Sequence, residues 1–329
     1  MENSIMILGA GISGLTAGRL LLDKGHSVQI LDKGRGVGGR VATRWKGTRD
    51  HIEGRWDHGA QFATFRSRDL ISALKAWEAW DVLQDWLPSH SDNTLMRMCP
   101  AEGMNAFAKA LAAPLDIQRS ERVCHLERSG EKWTARTESG HSFEAPHVIS
   151  TLPMPQLLDL AEASGWALQE DEQELLQQVT YERCLSLLAE TAEPVSIGDA
   201  GYARVNTGVL ETVISHRQKG ISDAPTFTAH ATPSFSLEWY DRDRPTAASV
   251  MRAALQEILD TSILSVQIHG WKFAKAIRRI PHPFVQLSNG CILAGDGFEA
   301  GDESVPADLH PRIESAMLSG LLAARKVDT

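Results

Sequence analysis

Gly9-Ala10-Gly11-Ile12-Ser13-Gly14 is the stretch that most narrows what this chain can fold into. Before it stands SIMIL (4–8), a short apolar run with β-branched residues, which reads as a buried strand. After it comes LTAGRLLLDKG, whose apolar spacing is helical and which stops at Gly25. SVQIL (27–31) reads as a second strand that ends at Asp32. A GxGxxG in this strand–turn–helix–strand setting marks a dinucleotide-binding βαβ unit, which the glycines alone do not. Gly9 permits the tight turn, Gly11 lets the backbone approach a pyrophosphate, and Gly14 lets the helix pack closely on the strand. The phosphates sit on the N–H groups at the helix start, around Ile12 and Ser13. Asp32 falls where a carboxylate accepts hydrogen bonds from the adenosine ribose.

The fingerprint serves NAD and FAD alike, and the next residues separate them. A plain NAD-binding unit enters a second helix after the acidic residue. Here Lys33 opens a glycine-rich loop, GRGVGGRVATRW (34–45). Gly38 and Gly39 allow close backbone approach, and Arg40 offers a forked pair of donors to phosphate oxygens. The competing reading, a solvated basic loop, is weaker because glycines and arginines occur together.

The GxGxxG, the acidic residue and the RxGGR-like segment together resemble the flavin amine oxidase superfamily. The resemblance implies non-covalent FAD, because the covalent-flavin cysteine motif of some members has no match. It implies an α/β fold with an α+β second domain. That is a Rossmann-like FAD-binding domain of the amine oxidase/p-hydroxybenzoate hydroxylase type, joined to an antiparallel-sheet substrate domain. The expected division is 1–68, 100–155 and 272–329 for FAD, with 69–99 and 156–271 for substrate. WDHGAQF (56–62) resembles the turn beneath the flavin, with Gly59 and Ala60 against the ring and Gln61 at its edge. Val123 resembles the position whose backbone pairs with adenine. GCILAGDGF (290–298) resembles the second flavin motif, in which Gly295-Asp296 contacts the ribityl or phosphate end. A long helix with its N-terminus near Val305 would then stabilise negative charge on the reduced ring.

Other elements are read from pattern. Residues 69–87 read as helix, with Leu70, Leu74, Trp77 and Trp80 at roughly helical spacing. Residues 156–178 read as helical, 180–270 as a set of strands interrupted by a helix near 245–260.

A closer resemblance, running unevenly over nearly the full chain, is to the renalases in their short bacterial form. Its local carriers are AQF (60–62), HATPSF (230–235) and HGWKFAKA (269–276). It implies oxidation of the 2- or 6-dihydro isomers of NAD(P) to NAD(P)+, with dioxygen reduced to hydrogen peroxide. Hydride loss from a dihydropyridine makes an aromatic cation and needs no general base in that step. No Ser/His/Asp or paired-carboxylate constellation stands out, so no acid/base residue is assigned. Candidates for a flat substrate slot are Gln61, Phe62, His230, Trp239, Tyr240 and Trp271. Against each stands a bland reading, since aromatic residues on strands are more often core. Arg242 and Arg244 either bind a substrate pyrophosphate or belong to a solvated charge run. Two alternatives remain: an amine oxidase or related FAD-dependent dehydrogenase, and an FAD-binding protein without turnover.

A net charge of −9 over 329 residues argues against nucleic-acid and anionic-membrane partners. No apolar run is long enough to span a bilayer. Cys99, Cys124, Cys184 and Cys291 form no CxxC pair and lack metal-ligand spacing, so no metal is expected and free thiols are. With no basic leader at Met1-Glu2-Asn3-Ser4, the expected location is the cytoplasm.

Overall fold

Ser4–Leu8 is the hub of a six-stranded sheet and pairs in parallel with both Ser27–Asp32 and His147–Ser150. Ile5, Ile7, Ile30 and Ile149 are wholly buried, as the uninterrupted apolar run of a strand covered on both faces requires. The computed structural model describes residues 4–48, 51–88, 95–303, 305 and 313–327. The sheet runs in the order Val285–Gln286, Ile292–Leu293, His147–Ser150, Ser4–Leu8, Ser27–Asp32, Asp116–Arg119. Chain segments nearly 300 residues apart therefore share one sheet.

The helix Ile12–Asp23 packs on this sheet and against the last helix, Ile313–Lys326. A Cβ at Gly320 would stand 2.2 Å from the Ser13 carbonyl oxygen, so only glycine permits that approach. Val123–Ser129, Lys132–Thr137 and Ser142–Ala145 form a three-stranded antiparallel sheet beside it.

The second large sheet is antiparallel, in the order Tyr202–Arg204, Leu210–Ser215, Thr226–Ala231, Thr180–Thr191, Ile263–Arg278. The helix Arg244–Leu259 covers one face, burying Ala247, Met251, Leu255 and Leu259 at fourfold spacing. Its N-cap, Asp243, accepts the Thr246 N–H at 2.9 Å.

The expected α/β class with an antiparallel second sheet is present, but several boundaries differ. The helix expected over 69–87 is Arg68–Ala76; Glu78 takes φ 57°, and Leu83–Pro88 is a strand paired with Met96–Pro100. Trp77 mimics helical spacing because it packs into the core from the turn. The 156–178 segment divides into Met154–Ala163 and Glu170–Gln177. HATPSF leads from a strand into the short helix Pro233–Trp239, started by Thr232, whose side chain accepts the Phe235 N–H.

Packing groups these segments by the sheet they cover. Leu70, Leu74 and Trp77 share a core with Ile5, Ile7 and Leu15. Leu157, Leu160 and Leu176 share one with Met6, Leu8 and Leu31. Both segments thus cover the parallel sheet, although 69–99 and 156–178 were expected in the substrate domain. The expected boundary at 272 falls inside the unbroken strand Ile263–Arg278. Val305, near which the last helix was expected to begin, is instead bridged to Asp302, and that helix is described from Ile313.

Candidate active site

A cleft of about 1960 Å³ lies between the two large sheets. Drug-sized ligands fill roughly 300–1,000 Å³, so this volume has room for a dinucleotide and a second molecule. Gly9, Gly11, Ile12 and Ser13 line it from the first turn, Asp32, Lys33, Gly38 and Gly39 from the second loop. Gly59 and Ala60 line it from the WDHGAQF turn, Val123 from the start of the strand Val123–Ser129, and Gly295 and Asp296 from the turn after Ile292–Leu293. Gly14 and Val305 do not line it.

The first turn has the shape that its glycines allow. Gly9 sits at φ 104°, and a Cβ on Gly14 would come 2.0 Å from the Gly9 carbonyl oxygen. A Cβ on Gly11 would meet nothing within 4 Å, so the cleft begins there. No side chain caps the helix that starts at Ile12, and the buried Ser13 Oγ has no partner. Orphan N–H groups and a spare hydroxyl at an open helix start are the donor set a diphosphate takes.

Asp32 binds two loops together. Its Oδ2 accepts the Ala10 N–H at 2.7 Å and its Oδ1 the Gly34 N–H at 2.6 Å. Each oxygen keeps capacity for a ribose hydroxyl. The glycine loop lies on the first turn: the Gly38 N–H donates to the Ala10 carbonyl at 2.8 Å. Asn105, which the sequence reading passed over, pins the loop from the helix Asn105–Ala112 by donating to the Val37 carbonyl at 2.6 Å. Lys33 donates to Gln156 at 3.0 Å.

Arg40 differs from expectation. Its guanidinium forks onto Asp296, at 2.5 and 2.6 Å, and also donates to the Phe273 carbonyl at 3.1 Å. The two expected cofactor contacts are thus each other's partners and tie the two flavin-like motifs together, because an unpaired carboxylate this deep needs a cation.

The WDHGAQF turn rests on that junction. A Cβ on Gly59 would stand 2.0 Å from the Arg40 carbonyl oxygen and 3.2 Å from the Trp271 ring. Trp271 Nε1 donates to the His58 carbonyl at 2.7 Å, and its ring stacks on His58 at 5.2 Å. The flat ring against this turn is therefore an indole. Gln61 folds back, donating to the Asp57 carbonyl at 2.6 Å. Below it, Lys219 is wholly buried; it donates to Asp57 Oδ2 at 2.7 Å and to the Gln61 carbonyl at 2.5 Å. Asp57 Oδ1 also accepts from Thr43 Oγ1 at 2.5 Å and from the Met104 N–H at 2.8 Å.

Of the slot candidates, Gln61, Phe62, His230, Tyr240 and Trp271 line the cleft. Trp239 does not; it stacks on Phe235 at the edge of the core under the antiparallel sheet. Arg242 pairs with Glu238 on the surface, as a solvated charge run does, and Arg244 donates to the Tyr240 carbonyl at 3.1 Å. Two imidazoles escaped the sequence reading although both stood in quoted segments: His58 and His269, with ring centroids 4.6 Å apart. Burial, then His269, Arg44 and His230, push His58 down to about 3. Burial, then Lys219, push His230 down to about 4. His269 is also lowered, by burial, Arg44 and Arg244. These imidazoles are therefore neutral near pH 7.

Residues 64–255 match the family described as flavin containing amine oxidoreductase, and residues 7–75 an NAD(P)-binding Rossmann-like domain.

The chain belongs to the flavin containing amine oxidoreductase family.

It is an FAD-dependent oxidoreductase. Mouse (Mus musculus) renalase is 20% identical over 322 residues, covering 89% of this chain and 92% of its own. In structure the chain is similar to cyclohexylamine oxidase from Brevibacterium oxydans IH-35A (TM-score 0.71, 14% identity, 99% of each chain). It is also similar to a conjugated-linoleic-acid-producing fatty acid isomerase from P. acnes (TM-score 0.65, 13% identity, 98% of each chain). Proteins acting on an amine and on a fatty acid share this fold, so the fold does not choose the substrate. The residues of the cleft fit FAD: open glycine turns, an uncapped helix start and the Asp32 carboxylate. No described cysteine lines the cleft, and burial raises the Cys291 thiol to about 12, which fits a cofactor held without a covalent bond. Among the described residues, no helix is long and apolar enough to cross a membrane and no group of side chains is placed to hold a metal ion.

Proposed function

We propose that this chain oxidises the 2- and 6-dihydro isomers of NAD(P) to NAD(P)+ and reduces dioxygen to hydrogen peroxide. The dihydropyridine gives up a hydride; dioxygen takes both electrons, that proton and one from solvent. When bound, FAD supplies the two-electron acceptor between them.

One observation carries the choice of substrate. The chain has a net charge of −9, yet twelve lysines and arginines against five carboxylates line the cleft among the described residues. The diphosphate of FAD meets only some of these cations. Arg44, Arg97 and Arg204 stand at the other end, around His58, Phe62 and Tyr202. Such a field draws in an anionic dinucleotide and repels a cationic amine. Renalase as the relative matched over most of its length supports the same reading.

In this reading Phe62 and Trp271 offer flat apolar faces to orient the nicotinamide, and His230 hydrogen-bonds its carboxamide or ribose. The neutral imidazoles leave the developing pyridinium unopposed by a second cation at contact distance. Amine oxidation is less well served: Lys219 does not line the cleft, and its ammonium is already used by Asp57 and Gln61. The antiparallel sheet from Thr180 to Arg278, with the helix Arg244–Leu259 that covers it, acts as the substrate domain. The setting is cytoplasmic, with no nucleic-acid or membrane partner.

The test is anaerobic mixing of the purified flavoprotein with borohydride-reduced NAD+, which contains the 2-, 4- and 6-dihydro isomers. Fast loss of visible flavin absorbance with the 2- or 6-isomer, and slow loss with ordinary NADH, is expected. Loss with primary amines but none of the isomers would transfer the chain to the amine oxidases. Flavin that no reductant bleaches would favour a binding protein without turnover.

A further inference from the structure

Arg97 is a cation that the fold surrounds without neutralising. It stands on the strand Met96–Pro100 and is 5% exposed. Its Nε and Nη1 are buried and have no hydrogen-bond acceptor. Its guanidinium lies over the Phe62 ring at 4.6 Å and the Tyr202 ring at 4.8 Å. The charged or titratable groups that act on it are the Tyr202 phenol and Arg204, and among the described residues no carboxylate pairs with it. Aromatic faces recover only part of what a guanidinium loses on leaving water. Desolvation accordingly lowers its pKa.

Its place is tied to the site. The neighbouring Met98 exchanges both backbone hydrogen bonds with Ala63, at 2.8 and 2.9 Å. That ladder fixes Arg97 beside the turn that ends in Gln61 and Phe62, and all three line the cleft. A buried group with unused donors at a cleft wall is costly in the empty protein and is kept where a ligand completes it.

We infer that the Arg97 guanidinium is the receptor for an oxyanion of the substrate. On the function proposed above, on which this identification rests, that oxyanion is the phosphate of the dihydronicotinamide nucleotide. An Nη2–H together with an Nη1–H or with the Nε–H gives two parallel donors for two phosphate oxygens, and the rings of Phe62 and Tyr202 hold the fork in place and keep water from competing. Arg204 adds to the positive field at the same wall, partly offset by Glu211. Recognition then has two parts: the neutral imidazoles and the Trp271 indole take the ring, and Arg97 takes the charge.

The experiment compares the holoenzyme with Arg97→Met and Arg97→Lys. Binding of NAD+, nicotinamide riboside, inorganic pyrophosphate and acetate is followed by tryptophan fluorescence, since Trp86 lies 6.2 Å from Phe62. Wild type should bind NAD+ about ten- to a hundredfold more tightly than the riboside. Arg97→Met should erase that ratio by weakening NAD+ alone, and Arg97→Lys should restore only part of it. Pyrophosphate should compete with NAD+ in wild type and not in Arg97→Met. Competition by acetate as strong as by pyrophosphate would reassign the oxyanion to a carboxylate and overturn the phosphate identification.

Stability supplies an independent readout. An arginine kept for packing leaves Arg97→Met less stable, whereas one kept for a ligand leaves its Tm equal or higher, and abolishes the rise in Tm that NAD+ gives wild type. Equal NAD+ affinity in wild type and Arg97→Met would overturn the inference whatever the enzyme oxidises. If the dihydro isomers fail to bleach the flavin while pyrophosphate binding still depends on Arg97, the proposed reaction falls and the oxyanion site stands.

Discussion

Lys219→Met should be among the most damaging single changes to this protein, although the residue lies behind the cleft and not in it. Both members of the Lys219–Asp57 pair have side chains 0% exposed, with the ammonium 2.7 Å from Oδ2. Methionine fills similar volume, so the cost is electrostatic. Removing one partner of a buried pair leaves the other charged and unpaired, which costs about 3–5 kcal/mol. The unfolding entropy is about 2.1 cal/mol/K per residue; for 329 residues the loss corresponds to a Tm lower by roughly 4–7 °C. The Gln61 carbonyl loses a donor at the same time, so the turn at the cleft wall should loosen too. The assay is thermal unfolding followed both by tryptophan fluorescence and by the rise in free-flavin fluorescence. The double variant Asp57→Asn/Lys219→Met removes both charges, and the asparagine Oδ1 can still accept from Thr43 and Met104. It should therefore regain at least half of the lost stability. A Tm change under 2 °C in Lys219→Met, or a double variant as unstable as the sum of its singles, would refute the argument that the pair acts as a unit.

Other outcomes follow from the same contacts. Gly14→Ala and Gly59→Ala each place a methyl where a carbonyl oxygen lies 2.0 Å away; the backbone must shift at a cost of about 1–3 kcal/mol, read as weaker FAD retention in a dialysis series. Asp32→Ala removes two charge-assisted acceptors for the N–H groups of Ala10 and Gly34, each worth roughly 1.5–3 kcal/mol, and FAD affinity should fall at least tenfold. His58 and His230 have folded pKa values of about 3 and about 4, below the unfolded value of 6.5. The unfolded chain then binds more protons between these limits, so their effect is absent above about pH 6.5 and stability falls as pH drops below it. Each histidine contributes at most about 1.4 kcal/mol per pH unit. Denaturant unfolding at pH 7.5, 6.0 and 5.0 should show this slope, and His58→Gln should make it shallower; an unchanged slope would mean that another group sets it.

How much of this was legible in the sequence follows from the range of the interactions involved. The first βαβ unit could be read because its constraints are local: Gly9 and Gly14 meet within one turn, and Asp32 closes the unit from the next strand. The antiparallel sheet was legible as a run of strands, since period-two patterning needs no knowledge of partners. What could not be read are relations across the chain. Nothing near Arg40 in sequence announces that its fork is filled by Asp296, and the RQKG turn at 217–220 gives no sign that Lys219 enters the core beneath Gln61. Trp271 was noticed for its size, while His58 and His269, which form a cluster of three rings with its indole, looked like ordinary polar residues. The sheet against which two helices pack was hidden for a related reason. Leu70, Leu74, Leu157 and Leu160 carry a helical pattern that says one face is buried, but not against which sheet. Arg97 is the extreme case. On a strand of alternating exposure an arginine reads as a solvent-facing residue, and only the rings of Phe62 and Tyr202, arriving from elsewhere in the chain, turn it into a buried cation. The local code thus specifies where the cofactor goes, whereas contacts between distant segments specify what else the cleft can hold. For that reason substitutions at Arg97, and not in the glycine turns, should separate substrates while leaving FAD in place.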